Sequence, residues 1–214
     1  MTDSAPVEPV PRSRQKQVGD ALRQDTRNRL LRAAADEFPA HGYAATTVTR
    51  LAATAGVSVQ TLYLAWGSKR ALLRAYMEDA LAGGAGSPED AGKRFTGLGP
   101  GERLVQLASV VTEVAERAAT GWRLYRDAAA IDPEIAADWD ELQKLRHRSI
   151  TRALQPIPVD ALADGLSMSQ AVDTAWTIAS PESYDLLVHR LGYQLDQFRG
   201  WMERTLISSI LRAR

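Results

Sequence analysis

The spacing of apolar residues is helical along almost the whole chain. From Asp25 onward, apolar side chains recur every three or four positions, and alternating apolar and polar runs bounded by turns are lacking. Asp25 or Thr26 can cap a first helix, which Pro39 and Gly42 would end. Its apolar positions are Leu30, Leu31, Ala34, Ala35 and Phe38. The pattern predicts an all-α protein.

Three more helices are predicted before residue 83, because hydroxyl residues that cap helices alternate with glycines that end them. The second helix starts at Thr46 or Thr47 and ends at Gly56, the third runs from Ser58 to Gly67, and the fourth runs from Ser68 to about Ala82. The turn between the second and third helices is short and contains glycine. This arrangement is typical of a helix-turn-helix.

A joint rich in glycine separates this part from the rest of the chain. Between Gly83 and Gly101, seven glycines and two prolines interrupt the helical pattern. Six further helices are predicted after the joint: Glu102 to Ala119, Trp122 to Ile131, Pro133 to Leu154, Ser167 to Ile178, Pro181 to His189 and Gln194 to about Arg212. The predicted organisation is a flexible basic arm (1–22), a helix-turn-helix domain (23–68) and a C-terminal helical domain (69–214).

Charge is divided unevenly along a chain whose formal net charge is zero. Between Arg12 and Arg74 there are eleven Lys and Arg against four Asp and Glu, whereas residues 75 to 214 hold fifteen basic and twenty acidic residues. A basic segment on a neutral protein suggests a local site for a polyanion such as DNA. A solvated charged surface is the alternative that charge alone leaves open.

Composition excludes several classes of function. The chain has no cysteine and three histidines, His41, His147 and His189, none of them spaced i, i+4, so no cofactor or metal site is expected. No Ser/His/Asp spacing and no phosphate-binding glycine loop after a strand is present, which argues against an enzyme. No apolar run reaches the ~18 residues of a membrane span, and the polar start lacks the apolar core of a signal peptide. We expect a cytoplasmic protein.

The third predicted helix has one buried and one open face. At 100° per residue, Val59, Leu62 and Trp66 fall together, which places Gln60, Thr61 and Leu64 on the open side and Tyr63 at its edge. A helix fits the major groove, where Gln and Thr can bond base edges and Leu64 can meet a thymine methyl group. Residue types suited to phosphate contacts surround this helix, namely Thr46, Thr47, Ser58, Arg50 and Lys69.

Here the sequence resembles the TetR family of bacterial repressors. The stretch HGYAATTVTRLAATAGVSVQTLYLAWGSKRALL has a Gly-aromatic pair before two threonines, then Ala-Gly-Val-Ser, Thr-Leu-Tyr, an aromatic residue and Ser-Lys, and about 45 to 50 residues carry the likeness. It departs from the family's pattern at Gln60, Trp66 and Pro39. The resemblance implies a dimer formed through the last two helices and a ligand cavity inside the C-terminal bundle. It also implies DNA contacts at Thr46, Thr47, Arg50, Ser58, Gln60, Thr61, Tyr63 and Lys69.

The C-terminal part offers candidates for both of these further functions. Aromatic residues with polar neighbours are typical of small-molecule pockets, although an aromatic residue at helical spacing is more often an ordinary core residue. The candidates for binding a small apolar or aromatic effector are Trp122, Tyr125, Arg126, Trp139, His147 and Trp176. A wide apolar stripe near the end of the chain suits internal packing or a twofold partner. The candidates for the dimer interface are Tyr184, Leu187, Leu191, Phe198, Trp201 and Met202.

The sequence therefore predicts an all-α, TetR-like protein with an N-terminal three-helix helix-turn-helix domain and a C-terminal ligand-binding and dimerisation bundle. The leading hypothesis is a homodimeric repressor that binds a palindromic operator in double-stranded DNA and is released by an unidentified small-molecule effector. A ligand-independent DNA-binding protein and a small helical enzyme are the alternatives.

Overall fold

A computed structural model describes residues 14–83 and 93–213, which form helices and no named strand. The first four helices are α1 (Arg14–Ala45), α2 (Val48–Thr54), α3 (Val59–Trp66) and α4 (Lys69–Ala82). Thr47, Ser58 and Ser68 cap α2, α3 and α4, each accepting a hydrogen bond from the backbone amide three residues later. The predicted starts of these three helices are confirmed.

The remaining elements form a bundle. They are α5 (Pro100–Ala129), α6 (Pro133–Leu154), a 3-10 turn (Val159–Ala161), α7 (Met168–Ile178), α8 (Pro181–Tyr184) with a π-helical turn (Asp185–Arg190), and α9 (Leu195–Ile210). Asp132 caps α6, and Ser167 caps α7 in a reciprocal bond pattern with Gln170. None of the helices in the described ranges is long and apolar enough to span a membrane.

Helix α1 is longer than predicted. It begins at Arg14 rather than at Asp25, so the predicted flexible arm is helical from residue 14 onward, and residues 1–13 lie outside the described ranges. Thr26 is not a cap, since its hydroxyl donates to the Leu22 carbonyl oxygen within the helix (3.0 Å). Pro39 lies inside the helix, and the backbone leaves the helical conformation at Gly42 (φ 73°, ψ 168°). Contacts between neighbouring turns, such as Arg23 with Asp20 at 3.0 Å, support the extension.

Helix α5 replaces two predicted helices. The predicted break around Gly121 is wrong, because α5 runs unbroken from Pro100 to Ala129. A Cβ atom at Gly121 would lie 2.6 Å from the Sδ atom of Met77 on α4. The glycine therefore allows a close crossing of two helices, and packing rather than helix propensity explains its place there.

The buried residues form two clusters that meet along α5. One cluster contains residues of the four helices α1, α2, α3 and α4, of the C-terminal part of α5, and Ile135 of α6. The other joins the first half of α5 to the end of α6 and to α7, α8 and α9. The packing does not divide at residue 68, because α4 contributes Leu72, Leu73 and Met77 to the first cluster. The helix-turn-helix thus packs against α1 and α4, and α5 packs in turn against these two helices.

Candidate nucleic-acid interface and effector cavity

Helices α2 and α3 form a helix-turn-helix with a tightly fixed turn. Gly56 adopts φ +62°, a conformation that favours glycine. From α1, the Arg29 Nη2 atom donates to the carbonyl oxygens of Ala55 (2.6 Å) and Gly56 (2.9 Å). These bonds satisfy carbonyl groups at the end of α2, where no helical partner exists. Arg29 therefore fixes the angle between α2 and α3.

The exposed face of α3 contains three of the four residues predicted for the reading face. Leu62 is fully buried, and Gln60, Tyr63 and Leu64 are exposed, with Leu64 82% exposed and Tyr63 49%. Thr61 is half-buried, and its hydroxyl lies 2.8 Å from that of Ser58. The face can present an amide, a phenol and an aliphatic side chain to a groove.

The residues predicted to contact phosphates differ in how accessible they are. Thr47 and Arg50 are exposed at the start of α2, and the Thr47 hydroxyl accepts from the Arg50 amide (3.1 Å), which leaves its own proton free to donate. Thr46 is fully buried, and its hydroxyl lies 2.7 Å from the Gly42 carbonyl oxygen. The predicted DNA contact of the Thr46 side chain is therefore wrong, because the helix break at Gly42 places that hydroxyl inside the domain.

Lys69 is engaged inside the protein. Its Nζ atom donates to the carbonyl oxygens of Tyr43 (2.8 Å) and Thr46 (2.9 Å) and lies 4.0 Å from the centre of the Tyr43 ring. Burial lowers the pKa of Lys69. An ammonium group has three N–H donors, so one remains for a phosphate. Lys69 thus joins the end of α1 to the start of α4 at the edge of the candidate interface.

Sequence reasoning missed the supporting residues on α1. Glu37 accepts a hydrogen bond from the Thr54 hydroxyl (2.6 Å), and its Oε2 atom lies 3.5 Å from Arg50 Nε and 3.4 Å from His41 Nε2. The guanidinium of Arg27 stacks on the Trp66 ring at 4.1 Å. These charged residues lie on the side of α1 that faces α2 and α3, and only the fold reveals that side. The one available signal was their helical spacing within a basic segment.

The bundle contains a small aromatic cavity. Trp122 on α5 and Trp139 on α6 pack edge to face, with ring centres 5.5 Å apart. Together with Arg126 they line a cavity of about 10 Å³, which has room for about one water molecule. Its other lining residues are Ala119, Arg123, Pro181, Glu182, Tyr184, Asp185 and His189. Three of the six predicted effector residues therefore meet at one place.

The other three predicted effector residues lie elsewhere. Tyr125 is fully buried in the first cluster, and its burial there raises the pKa of its phenol. His147 and Trp176 lie where α6 meets α7, with the His147 ring 3.0 Å from Asp173 and the guanidinium of Arg146 stacked on the Trp176 ring. These two residues do not line the cavity, because helical spacing identifies an inward face without identifying the neighbour across it, and their binding of an effector stays a prediction.

The predicted dimer residues also separate into two groups. Tyr184, Phe198 and Met202 are buried within the protomer, so they cannot contact a partner in this conformation. Leu187 and Trp201 are half-buried and Leu191 is exposed. The fold explains why these three side chains are not available to a partner. Helix α9 directs Phe198 and Met202 toward α5 and α7 of the same protomer. Two further apolar residues are exposed nearby, namely Leu186 in the π-helical turn and Ile207 on α9.

A bidentate ion pair connects α4 to α6. Arg70 donates to both carboxylate oxygens of Asp138, at 2.6 Å and 2.8 Å, and to Glu134 at 2.6 Å. The hydrogen bond from Arg70 lowers the pKa of Asp138 and is the largest cause of that shift. Asp138 precedes Trp139 of the cavity, and Arg70 follows Lys69 at the edge of the helix-turn-helix. The two candidate sites are therefore linked through one pair of side chains.

The described ranges 14–83 and 93–213 contain no group of three His, Asp or Glu side chains arranged to hold a metal ion.

Comparison with known proteins finds a family model that matches the N-terminal helices. The model for bacterial regulatory proteins of the tetR family matches residues 30–76. No curated protein sequence matches the chain. Among solved structures, NalD of Pseudomonas aeruginosa, the secondary repressor of the MexAB-OprM multidrug efflux pump, is 15% identical with a TM-score of 0.67, over 90% of this chain and 100% of that one.

Two other solved structures share the fold at similar distance. FadR of Bacillus subtilis, solved in complex with stearoyl-CoA, is 18% identical with a TM-score of 0.63, over 85% of this chain and 98% of that one. A tetR-family transcriptional regulator from Streptomyces coelicolor is 17% identical with a TM-score of 0.60, over 86% and 80%. At these identities the likeness concerns the fold.

Proposed function

Because residues 30–76 belong to the TetR family of bacterial regulatory proteins and the chain has the fold of its regulators, we propose that it is a dimeric repressor of transcription. In this proposal α3 enters the major groove of a palindromic operator, and a small apolar or aromatic effector releases the protein. The family and the structural neighbours are regulators and not enzymes. A DNA-binding role of this kind implies the cytoplasm.

The exposed face of α3 is the observation that carries the proposal. Gln60, Tyr63 and Leu64 lie exposed on a helix whose start, end and angle are fixed by Ser58, Gly67 and Arg29. Rigid presentation of base-reading side chains reduces the entropy lost on binding. Thr47 and Arg50 stand where phosphates flank such a helix, and the basic N-terminal third supplies favourable electrostatics.

Dimerisation is proposed to use the outer surface of α8, the π-helical turn and α9. Leu186, Leu191 and Ile207 are exposed there, and Trp201 is half-buried. Apolar surface of this kind on terminal helices suits an isologous contact. A twofold dimer places two α3 helices on half-sites about one DNA turn apart.

Release by an effector is proposed to begin at the cavity between Trp122 and Trp139. Small-molecule pockets usually have volumes of ~300 to 1,000 Å³, so a ligand must open this cavity to enter. Opening moves α6, whose Asp138 holds Arg70 of α4. By linkage, an effector that weakens DNA binding must itself bind more weakly to the DNA-bound protein.

The same small cavity favours one competing function, a DNA-binding protein that needs no ligand. The two functions are separated by selecting DNA from a random pool with the full-length protein at two salt concentrations. A palindromic motif supports the proposed repressor, whereas salt-sensitive retention without a motif supports a non-specific binder. The matched variant is Gln60→Ala, which should change the motif without changing the dependence on salt. An unchanged motif would contradict the proposed reading face.

Release is tested on the selected operator. Small aromatic and aliphatic compounds are screened for those that dissociate the complex, and each active compound is measured against Trp139→Ala. Loss of response in that variant, with operator affinity retained, supports the cavity as the effector site. A response that persists in Trp139→Ala argues against it.

A further inference from the structure

A groove separate from the aromatic cavity lies where α1 crosses α4 and α5. It has a volume of about 430 Å³, within the range of small-molecule pockets. Leu31, Ala35, Tyr76 and Ala80 form its apolar surface, and Asn28, Arg32, Asp79 and Arg117 supply its polar groups. It shares no lining residue with the cavity between Trp122 and Trp139.

The apolar part of the groove is a helical stripe that the fold leaves uncovered. Leu31 and Ala35 continue the apolar face of α1, and Tyr76 and Ala80 continue that of α4. Ala35 remains exposed, and the other three are half-buried. Their neighbours Leu30, Ala34 and Met77 are buried in the core. Apolar surface left open inside a concave site is typical of ligand binding.

Arg117 brings to the groove a guanidinium group with two unused N–H donors. Its Nε and Nη2 atoms are shielded from water and have no hydrogen-bond partner among the residues that the structure describes. Removing a guanidinium from water is costly unless a partner compensates the charge. Arg70 shows the usual partner in this same protein, because its Nε and Nη2 atoms bind the two oxygens of one carboxylate.

The charges of the lining residues indicate the class of the missing partner. Arg32 and Arg117 carry two positive charges and Asp79 carries one negative charge, so the groove has a net charge of about +1. Asn28 adds an amide group whose Oδ1 atom accepts from Gln24 and whose N–H donors have no partner within the described ranges. A monoanion with two coplanar oxygens and an apolar body complements this surface.

We propose that the groove between α1, α4 and α5 binds an amphipathic carboxylate, with the carboxylate on Arg117 and the apolar body on Leu31, Ala35, Tyr76 and Ala80. This site is additional to the proposed effector cavity and does not depend on DNA binding. A ligand here contacts α1 of the helix-turn-helix domain and α5 of the bundle at once.

The test is calorimetric titration of the full-length protein with sodium octanoate, using octan-1-ol as a neutral probe of the same length. We expect octanoate to bind more tightly than the alcohol. Arg117→Met keeps much of the length of the side chain and removes its donors. Because hydrogen bonds to charged groups are lost, affinity for octanoate should fall about ten- to hundredfold.

Three controls make the result specific. Arg126→Met changes an arginine of the aromatic cavity on the same helix and should leave octanoate binding unchanged. Ala35→Trp fills the groove without touching Arg117 and should also abolish binding. A thermal melt of each variant, followed by circular dichroism, shows independently that it is folded.

The proposal is overturned if octanol binds as tightly as octanoate, if Arg117→Met binds octanoate normally, or if Arg126→Met rather than Arg117→Met abolishes binding. The last result would place the ligand in the aromatic cavity. If Arg117→Met is poorly folded, normal octanoate binding by Ala35→Trp would overturn it equally. Failure of the operator selection leaves this test intact, because no DNA enters it.

Discussion

The ion pair between Arg70 and Asp138 should contribute more to stability than a surface salt bridge does. The carboxylate of Asp138 is 14% exposed and the Arg70 side chain is 34% exposed, so the pair lies between the exposed and buried limits. Exposed pairs contribute ~0.2 to 1 kcal/mol, and breaking a buried pair costs ~3 to 5 kcal/mol. After allowance for the partial exposure of Arg70, Asp138→Asn should lower the free energy of unfolding by about 2 kcal/mol.

This loss should be visible as a shift in the melting temperature. For a chain of this size, 1 kcal/mol corresponds to ~2 to 4 °C, so Asp138→Asn should lower Tm by about 4 to 8 °C. Arg74→Gln is the matched control, because Arg74 on α4 pairs with Glu78 at 3.0 Å and both side chains are about two-thirds exposed. That variant should lose no more than about 1 to 2 °C. Equal shifts for the two variants would refute the reasoning.

The pH dependence of the free energy of unfolding gives a second test of the same ion pair. The hydrogen bond from Arg70 lowers the pKa of Asp138, so the folded state binds a proton there less readily than the unfolded state. The contribution is complete above the ordinary carboxyl pKa of ~4 and is lost as pH falls through the lower pKa of the folded state. The difference in stability between wild type and Asp138→Asn should be constant from pH 7 to 5 and shrink below about pH 4. A difference that grows on acidification would contradict this assignment.

Four further substitutions test other parts of the structure. Gln60→Ala should reorder the preference among operator sequences in a binding assay while the stability of the protein stays unchanged, and an unchanged order would remove Gln60 from the reading face. Gly56→Ala should lower the free energy of unfolding by about 1 to 2 kcal/mol, because φ is +62° and the new Cβ would lie 2.8 Å from Arg29 Nη2. Gly19→Ala, in an open stretch of α1, should stabilise the protein by up to about 1 kcal/mol when both glycine variants are compared by thermal melting. A loss of stability in Gly19→Ala as large as in Gly56→Ala would exclude the steric explanation. Ile207→Arg should convert a dimer to a monomer in sedimentation equilibrium, and a dimer that persists would place the interface elsewhere.

The helix-turn-helix could be predicted almost completely because its signals are local. Thr47, Ser58 and Ser68 each cap a helix by bonding an amide three residues away, and Gly56 and Gly67 adopt positive φ angles at helix ends. These interactions depend on neighbours within one turn of helix, which a sequence displays directly. The same locality explains why Gln60, Tyr63 and Leu64 are exposed, as their helical spacing predicts.

Features that depend on distant contacts were predicted poorly. Gly121 suggested a break, yet the crossing of α5 over Met77 makes it a packing residue inside one helix. Thr46 has a hydroxyl group, which suits a phosphate contact, but the turn at Gly42 buries that hydroxyl. Phe198 and Tyr125 lie on apolar faces as expected, and only the tertiary structure decides whether such a face meets its own protomer, a ligand or a partner.

The arrangement around α4 explains how one helix can serve both proposed sites. Its first residues, Lys69 and Arg70, hold the end of α1 and the acidic start of α6, and its middle crosses α5 at Gly121 with no room for a side chain. A closely packed crossing resists gradual deformation, so a displacement of α6 is transmitted to α4 rather than absorbed. Since Trp139 of the cavity follows Asp138 directly, opening the cavity must either carry Arg70 with it or break the ion pair. In the proposed release, the first outcome shifts α4 and the second frees it from α6, and either would change the spacing of two α3 helices in a dimer.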